Sequence, residues 1–270
     1  MSADERVGTG ARLQLAAEMA VRGGRMALEP FHRAQGGTDS ADLVIEAQAA
    51  IHDRLGAEIA AAFPHDAVVG ADPASGARSP SPYAWVVGTI DGAGDLERGL
   101  PGFAVTLGVL RNGTPFVGAV YDPVARWLFS ACAGRGAWLN DRPLRAGPAA
   151  LSRTSLVAVG HPGEPGGPPC TEEWGRRYRL RRIGSTALHL CYVAMGALHL
   201  VHDHRASLRD VAGPAAIVLE AGGVLTRDDG GPVFPASPAH LAGLPLPVLA
   251  GNRVSHGDAL ADLGLAYAAR

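Results

Sequence analysis

Residues 85–110 read WVVGTIDGAGDLERGLPGFAVTLGVL, two apolar runs separated by a polar, glycine-rich turn. Without period-2 alternation, Tyr83–Ile90 reads as a buried strand that runs into Asp91. Gly92 and Gly94 then present backbone N–H groups to an anion at a helix start, or serve only a turn that needs glycine. Asp91 has two readings as well, a site carboxylate or the cap of the short helix that follows.

Downstream, residues 103–145 read as successive strands joined by turns, with Asn112-Gly113 the clearest hairpin signal. Upstream, Leu13, Ala16, Ala17, Ala20, Val21 and Ala27 recur at helical spacing, predicting a helix over 10–29 that Pro30 stops. After the loop GGTDSAD, Ile51, Leu55, Ile59 and Ala62 share one face of a second helix, roughly 47–63, ended by Pro64. A short strand at Ala67 and a loop PASGARSPSP, flexible or a lid, complete the approach to Trp85.

The second half alternates strand and helix. LVAVG (156–160) is a strand, and the Pro/Gly-rich GHPGEPGGPPC that follows marks the passage between lobes. Gly184-Ser185-Thr186 opens a helix through Ala194, ALHLVHD (197–203) is a strand, and Asp210 starts a helix closed by Gly222-Gly223. The expected organisation is an N-terminal α+β lobe, 1–150, and a C-terminal α/β lobe, 151–270, forming one compact unit.

Bulk properties narrow the partners. With 24 basic and 26 acidic residues the formal charge is −2, which gives no basic field for nucleic acid or anionic lipid. The three cysteines, Cys132, Cys170 and Cys191, are odd in number and lack a CxxC pair, which fits a reducing cytoplasm. Glu18 and Arg22 break the N-terminal apolar stretch, so neither a signal peptide nor a membrane span is expected. The partner expected is a polar small molecule.

Five segments in order resemble the inositol monophosphatase family: residues 85–110, GAWLNDRPL (136–144), RRIGSTALHLCYVAMGALHLVHD (181–203), RDVAGPAAIVLEAGGVLT (209–226) and VLAGN (248–252). The resemblance implies a layered α/β/α/β/α sandwich with the active site between two lobes, Mg²⁺-dependent phosphomonoester hydrolysis, and a homodimer. Clustered carboxylates serve that chemistry because Mg²⁺ prefers hard oxygen ligands.

This chain departs from the pattern at the carboxylates. The family's Asp-Pro-Ile-Asp-Gly-Thr stands here as Gly88-Thr89-Ile90-Asp91-Gly92-Ala93, keeping the second Asp and losing the first. Its Gly-Glu-Glu stands as Gly70-Ala71-Asp72, and an upstream acidic position is Gln48, after Glu46-Ala47. The late Trp-Asp pair is Arg209-Asp210. Two unit charges about 4 Å apart interact at roughly 4 kcal/mol in a surface-like dielectric, so carboxylates without metal repel a phosphate dianion. Losing general-base help removes about 10² to 10⁴ in rate.

The resulting expectation is a repurposed member acting on a polar small molecule by acid/base chemistry through Asp91, Asp210, Asp203 and His199. Gly92, Ala93, Gly184, Ser185, Thr186 and Arg209 would line the substrate. No cofactor is expected, and Mg²⁺ enters only if Asp91, Asp210 and Asp72 retain a residual site. The alternatives are a phosphatase with a site rebuilt from Asp72 and Glu46, and a non-catalytic pseudoenzyme. Asp210 also reads as a helix cap, and Arg209 as one half of a surface ion pair. In HLVHDH (199–204), strand parity puts His199 on one face with Asp203, the pair for proton transfer, with His189 near it. His202 and His204 read as solvated on the opposite face. Cys191 reads as core, and His161 as a lid candidate or simply an exposed loop residue.

Overall fold

A computed structural model of the chain describes residues 3–37, 40–69, 80–160, 170–237 and 243–268. Two long helices lead, α1 (Ala3–Gln35) and α2 (Ala41–Ala62). Ala16, Met19, Ala20, Ala27 and Phe31 bury one stripe of α1, and Val44, Ile51, Leu55 and Ile59 one stripe of α2. Both stripes cover a seven-stranded sheet.

That sheet holds β1 (Ala67–Val69), β2 (Tyr83–Asp91), β3 (Ala104–Arg111), β4 (Thr114–Asp122), β5 (Trp127–Cys132), β6 (Gly136–Leu139) and β7 (Arg142–Pro143) in sequence order. Only β1 and β2 run parallel; the other neighbours are antiparallel. The one-turn helix α3 (Ala93–Leu96) lies between β2 and β3. At the β3–β4 hairpin, Asn112 and Gly113 both take positive φ, 50° and 77°, as a tight two-residue turn requires.

The second half supplies β8 (Leu156–Gly160), α4 (Cys170–Arg177), β9 (Arg179–Arg181), α5 (Thr186–Ala194), β10 (Leu200–Asp203), α6 (Leu208–Glu220), β11 (Val224–Thr226), β12 (Val248–Gly251) and α7 (Arg253–Ala268). Its sheet runs β11-β12-β10-β8-β9, parallel among β10, β8 and β9 and antiparallel on either side of β12. Helices α5 and α6 lie between the sheets. One core joins Ala104, Val120 and Phe129 of the first sheet to Leu188, Val193, Val211 and Ile217 of these helices and to Val201 and Val248 of the second sheet. Trp174, Ala259 and Leu263 close the outer face against Val157, Val159, Leu200 and Leu249. The layering is the α/β/α/β/α sandwich that the resemblance implies.

Helix α6 sits unusually close to β3 and β4. A Cβ on Gly213 would lie 2.6 Å from the Leu107 carbonyl oxygen, and one on Gly118 would collide with the Gly213 carbonyl. Side-chain-free backbone on both partners lets the helix touch the sheet directly. This contact fixes the height of Asp210 in the first turn of α6 above β2 and β3.

The edges of the sheets are short. Strand β9 is the three residues Arg179, Leu180 and Arg181, all exposed, and β7 is the exposed pair Arg142–Pro143.

Some expected boundaries move. Helix α1 continues past Pro30 to Gln35. Proline removes one helical hydrogen bond, and here the cost is offset by burial of Phe31, whose ring lies 5.2 Å from that of Phe103. Helix α2 starts at Ala41 instead of Ala47, directly after the polar loop. The 197–203 strand shrinks to Leu200–Asp203, because the Ala197 and Leu198 N–H groups turn back to the Tyr192 carbonyl. Most of the 73–82 loop and of the 160–170 passage, with His161, lies outside the described residues.

Candidate functional site

Strand β2 carries Asp91 to the mouth of the gap between the first sheet and α5. Ser185 Oγ and the Ala187 N–H both donate to Asp91 Oδ2 at 2.7 Å. Asp91 therefore does not cap the short helix after it; it accepts from the first turn of α5, a helix start across the gap. Ser185 is the N-cap of α5 and also accepts from Leu188 N–H at 3.0 Å. Burial, and then the neighbouring Asp210, push the Asp91 carboxyl well above the usual carboxylate range, against the two hydrogen bonds that favour its anion; Asp203 adds to the rise.

Asp210 is the third residue of α6. Its Oδ2 accepts from Ser207 N–H at 2.9 Å and Ser207 Oγ at 2.7 Å, a capping arrangement at the helix start. Burial raises its carboxyl, while Ser207 and the Arg209 charge oppose the rise. Of its two expected readings, site acid and cap, these hydrogen bonds show the cap. Arg209 is exposed and forms no ion pair among the described residues, so the surface-pair reading gains no support.

Asp203 ends β10, wholly buried. Thr186 Oγ1 donates to its Oδ2 at 2.5 Å and Arg205 N–H to its Oδ1 at 2.9 Å. The carboxylate fills the space a Cβ on Gly160 would take, 2.2 Å away. The Gly184-Ser185-Thr186 triplet is thus divided among three acids: Gly184 N–H donates to Asp95 Oδ2 at 2.7 Å, Ser185 to Asp91, and Thr186 to Asp203. Gly92, at φ 88°, and Ala93 form the turn beside Asp91. Helix α3 is a single turn, and the Asp95 and Leu96 N–H groups close on the Gly92 carbonyl, so the expected anion seat there is not a helix terminus of useful length.

His199 does not join Asp203. It precedes β10, and four residues of strand span about 13 Å, so the two side chains share a face at opposite ends. Parity alone had paired them. His189 lies closer to Asp203, but burial lowers its pKa to about 4, and its Nε2 accepts from Ile183 N–H at 3.1 Å. His202 is not solvated as expected. It is fully buried, edge-on to Trp174 and stacked with His204, with Nε2 3.7 Å from an Asp228 oxygen. Cys191 is core, as its helix face implied.

Glu46 is exposed in the groove between α1 and α2, beside Met26, Glu29 and Pro30. Gln48 instead turns to the site, its amide donating to the Ile90 carbonyl at 3.4 Å. Asp72 lies outside the described residues. At Gly88, a Cβ would run into Thr106 Oγ1 and stand 2.8 Å from the Arg209 carbonyl oxygen. Thr106 Oγ1 donates to that same carbonyl at 2.7 Å. Among the described residues, no three His, Cys, Asp or Glu side chains are placed to hold a metal ion. Thr106, Ser207 and Asp95 went unnoticed in the sequence, although Thr106 is the one polar residue in the apolar run FAVTLGVL and so announced a buried hydrogen bond.

The layers and the carboxylates between them define the class: a two-sheet phosphatase-type sandwich with its acids gathered where β2, α5 and α6 meet. The chain belongs to the inositol monophosphatase family, which it matches over residues 5–262. It is 31% identical to inositol monophosphatase 1 of Solanum lycopersicum over 232 residues, 81% of this chain and 85% of that protein. It is 30% identical to the Nus factor SuhB of Pseudomonas aeruginosa over 206 residues, 73% of this chain and 76% of that one. Inositol monophosphatase II of Staphylococcus aureus superposes with a TM-score of 0.81 at 27% identity, over 96% of each chain. The staphylococcal enzyme has also been solved with inositol monophosphate and with 2'-AMP bound. No described helix is long and apolar enough to cross a membrane.

Proposed function

We propose that this chain is a family member whose Mg²⁺ cluster is dismantled and whose cleft acts on a polyhydroxylated small molecule by proton transfer through Asp91 and Asp210. The observation that carries the reading is at Gly88. Where the family signature has a ligand carboxylate, the Thr106 hydroxyl and Arg209 carbonyl occupy the space and satisfy each other. Gln48 removes a second acid in the same way, turning its amide to the β2 backbone. The family is normally Mg²⁺-dependent, but among the described residues no three His, Cys, Asp or Glu side chains are placed to hold the ion.

Burial and then Asp210 raise the Asp91 carboxyl, which suits it to serve as the acid toward a substrate oxygen. Asp210, bonded through one oxygen to Ser207, accepts a proton at the other. Ser185 and the Ala187 N–H orient Asp91 and stabilise its anion after the proton leaves. Arg209 faces an acidic substituent of the substrate. The staphylococcal relative's inositol monophosphate makes a ring of hydroxyl groups the natural starting point for a ligand search. A homodimer is the assembly the family resemblance implies, and sedimentation of the purified chain tests it.

The test is titration calorimetry of Mg²⁺ into metal-free protein beside phosphate release from inositol and sugar phosphates. The expected result is no saturable Mg²⁺ binding and no release. Tight binding with Mg²⁺-dependent release overturns the proposal and restores a phosphomonoesterase with a rebuilt ligand set.

A further inference from the structure

A second concavity lies on the C-terminal lobe, away from the acids. It has a volume of about 600 Å³ and is lined by Leu151, Ser152, Arg153, Arg176, Arg177 and Tyr178. Three of the six residues are arginines in a chain whose net charge is −2. Their surroundings differ. Arg177 is neutralised, by Asp262 at 2.9 Å and Glu173 at 3.6 Å, and its guanidinium lies over the Tyr178 ring. Arg153 and Arg176 form no ion pair or hydrogen bond among the described residues and are exposed.

Two like charges lining one hollow repel each other. An oxyanion between them reverses the sign of that interaction, and guanidinium forks suit phosphate oxygens. Ser152 adds a hydroxyl on the same wall, within a chain of hydroxyls that runs to Thr154 and Ser155. Leu151 and the edge of Tyr178 supply an apolar floor, enough to rest one small organic group against. The negative end of α4 helps hold Arg176 and Arg177 where they are.

The hollow is not an arm of the acidic cleft. Residues 151–155 enter β8 at its N-terminal end, whereas Asp203 pairs in register with Gly160 at the C-terminal end of the same parallel strands. The length of β8, roughly 13 Å from Leu156 to Gly160, separates them. We propose that this hollow is a second binding site, for a small multiply charged phosphate compound held by Arg153 and Arg176. Its occupant is a phosphate ester or pyrophosphate and not a neutral polyol, because the two free cations dominate its lining.

The probe is inorganic pyrophosphate, titrated by calorimetry into the full-length chain at low ionic strength. Binding to one site per chain is expected, weakened about tenfold or more by the double substitution Arg153→Gln with Arg176→Gln. Arg209→Gln, in the cleft, is expected to leave it unchanged. Arg153 and Arg176 are exposed and unpaired, so the double variant should stay folded with at most a small drop in melting temperature, and Arg177 stays in place to hold Asp262. Three results overturn the proposal: no binding at millimolar pyrophosphate, equal binding by the double variant, or loss of binding in the Arg209 variant alone.

Discussion

Asp91 and Asp66 are both enclosed carboxylates, and the groups around them drive them in opposite directions. Burial and Asp210 raise Asp91, so its folded value stands above the unfolded 3.8. Such a group costs nothing below the unfolded value and costs stability as pH rises toward the folded one. Asp91→Asn keeps an acceptor for Ser185 and Ala187; it should match the parent melting temperature below the unfolded value of 3.8 and exceed it as pH rises above that value. Melting curves across that range check this, and a constant offset would refute it. Burial also pushes Asp66 up, but hydrogen bonds from Arg12, Ser81 and Trp85, with the Arg12 charge, bring it below 3.8. Its contribution is present above the unfolded value and is lost as pH falls through the folded one. Removing Arg12, which binds both Asp66 oxygens and stacks over Phe63 and Tyr83, leaves a buried charge short of its partner. Arg12→Ala should cost about 3 kcal/mol in urea unfolding near neutral pH.

At the scale of elements, two helix starts carry the site, and each is set by one small residue. Ser185 both caps α5 and bonds Asp91, so Ser185→Ala should cost about 1 kcal/mol of stability and raise the Asp91 carboxyl further. The rise is readable as a shift in that carboxyl's NMR titration, which a purely capping role would not move. Gly213 lets α6 rest on the Leu107 carbonyl; Gly213→Ala should cost about 1–3 kcal/mol and displace Asp210 with the helix. The sequence made these elements legible through apolar spacing and glycine signals, and it named Asp91 and Asp210 through a resemblance. It did not reveal that Asp91 would bind the start of α5, since that contact spans 94 positions. His199 shows the other limit: alternation gives the face of a strand but says nothing of distance along it. His202 was lost differently, because a polar strand end looks solvated until a tryptophan is known to cover it.

At the scale of the molecule, α5 and α6 belong to the second half of the chain yet cover the first sheet. A fragment of residues 1–150 would expose Val120, Phe129 and Ala131, which these helices bury. It should therefore bind a hydrophobic dye and lack a cooperative melt, whereas the whole chain unfolds in one transition; a sharp melt of the fragment would show that the first lobe stands alone. The edges of the sheets bear on a different property, behaviour in crowded solution. An open strand edge is a template on which another chain can add its own strand and begin a fibre. Strand β9 offers only three exposed residues, two of them arginine, and β7 ends in a proline with no N–H to give. Copies approaching along β9 or β7 meet like charge or a missing donor, so neither of these two edges invites another sheet to grow onto it.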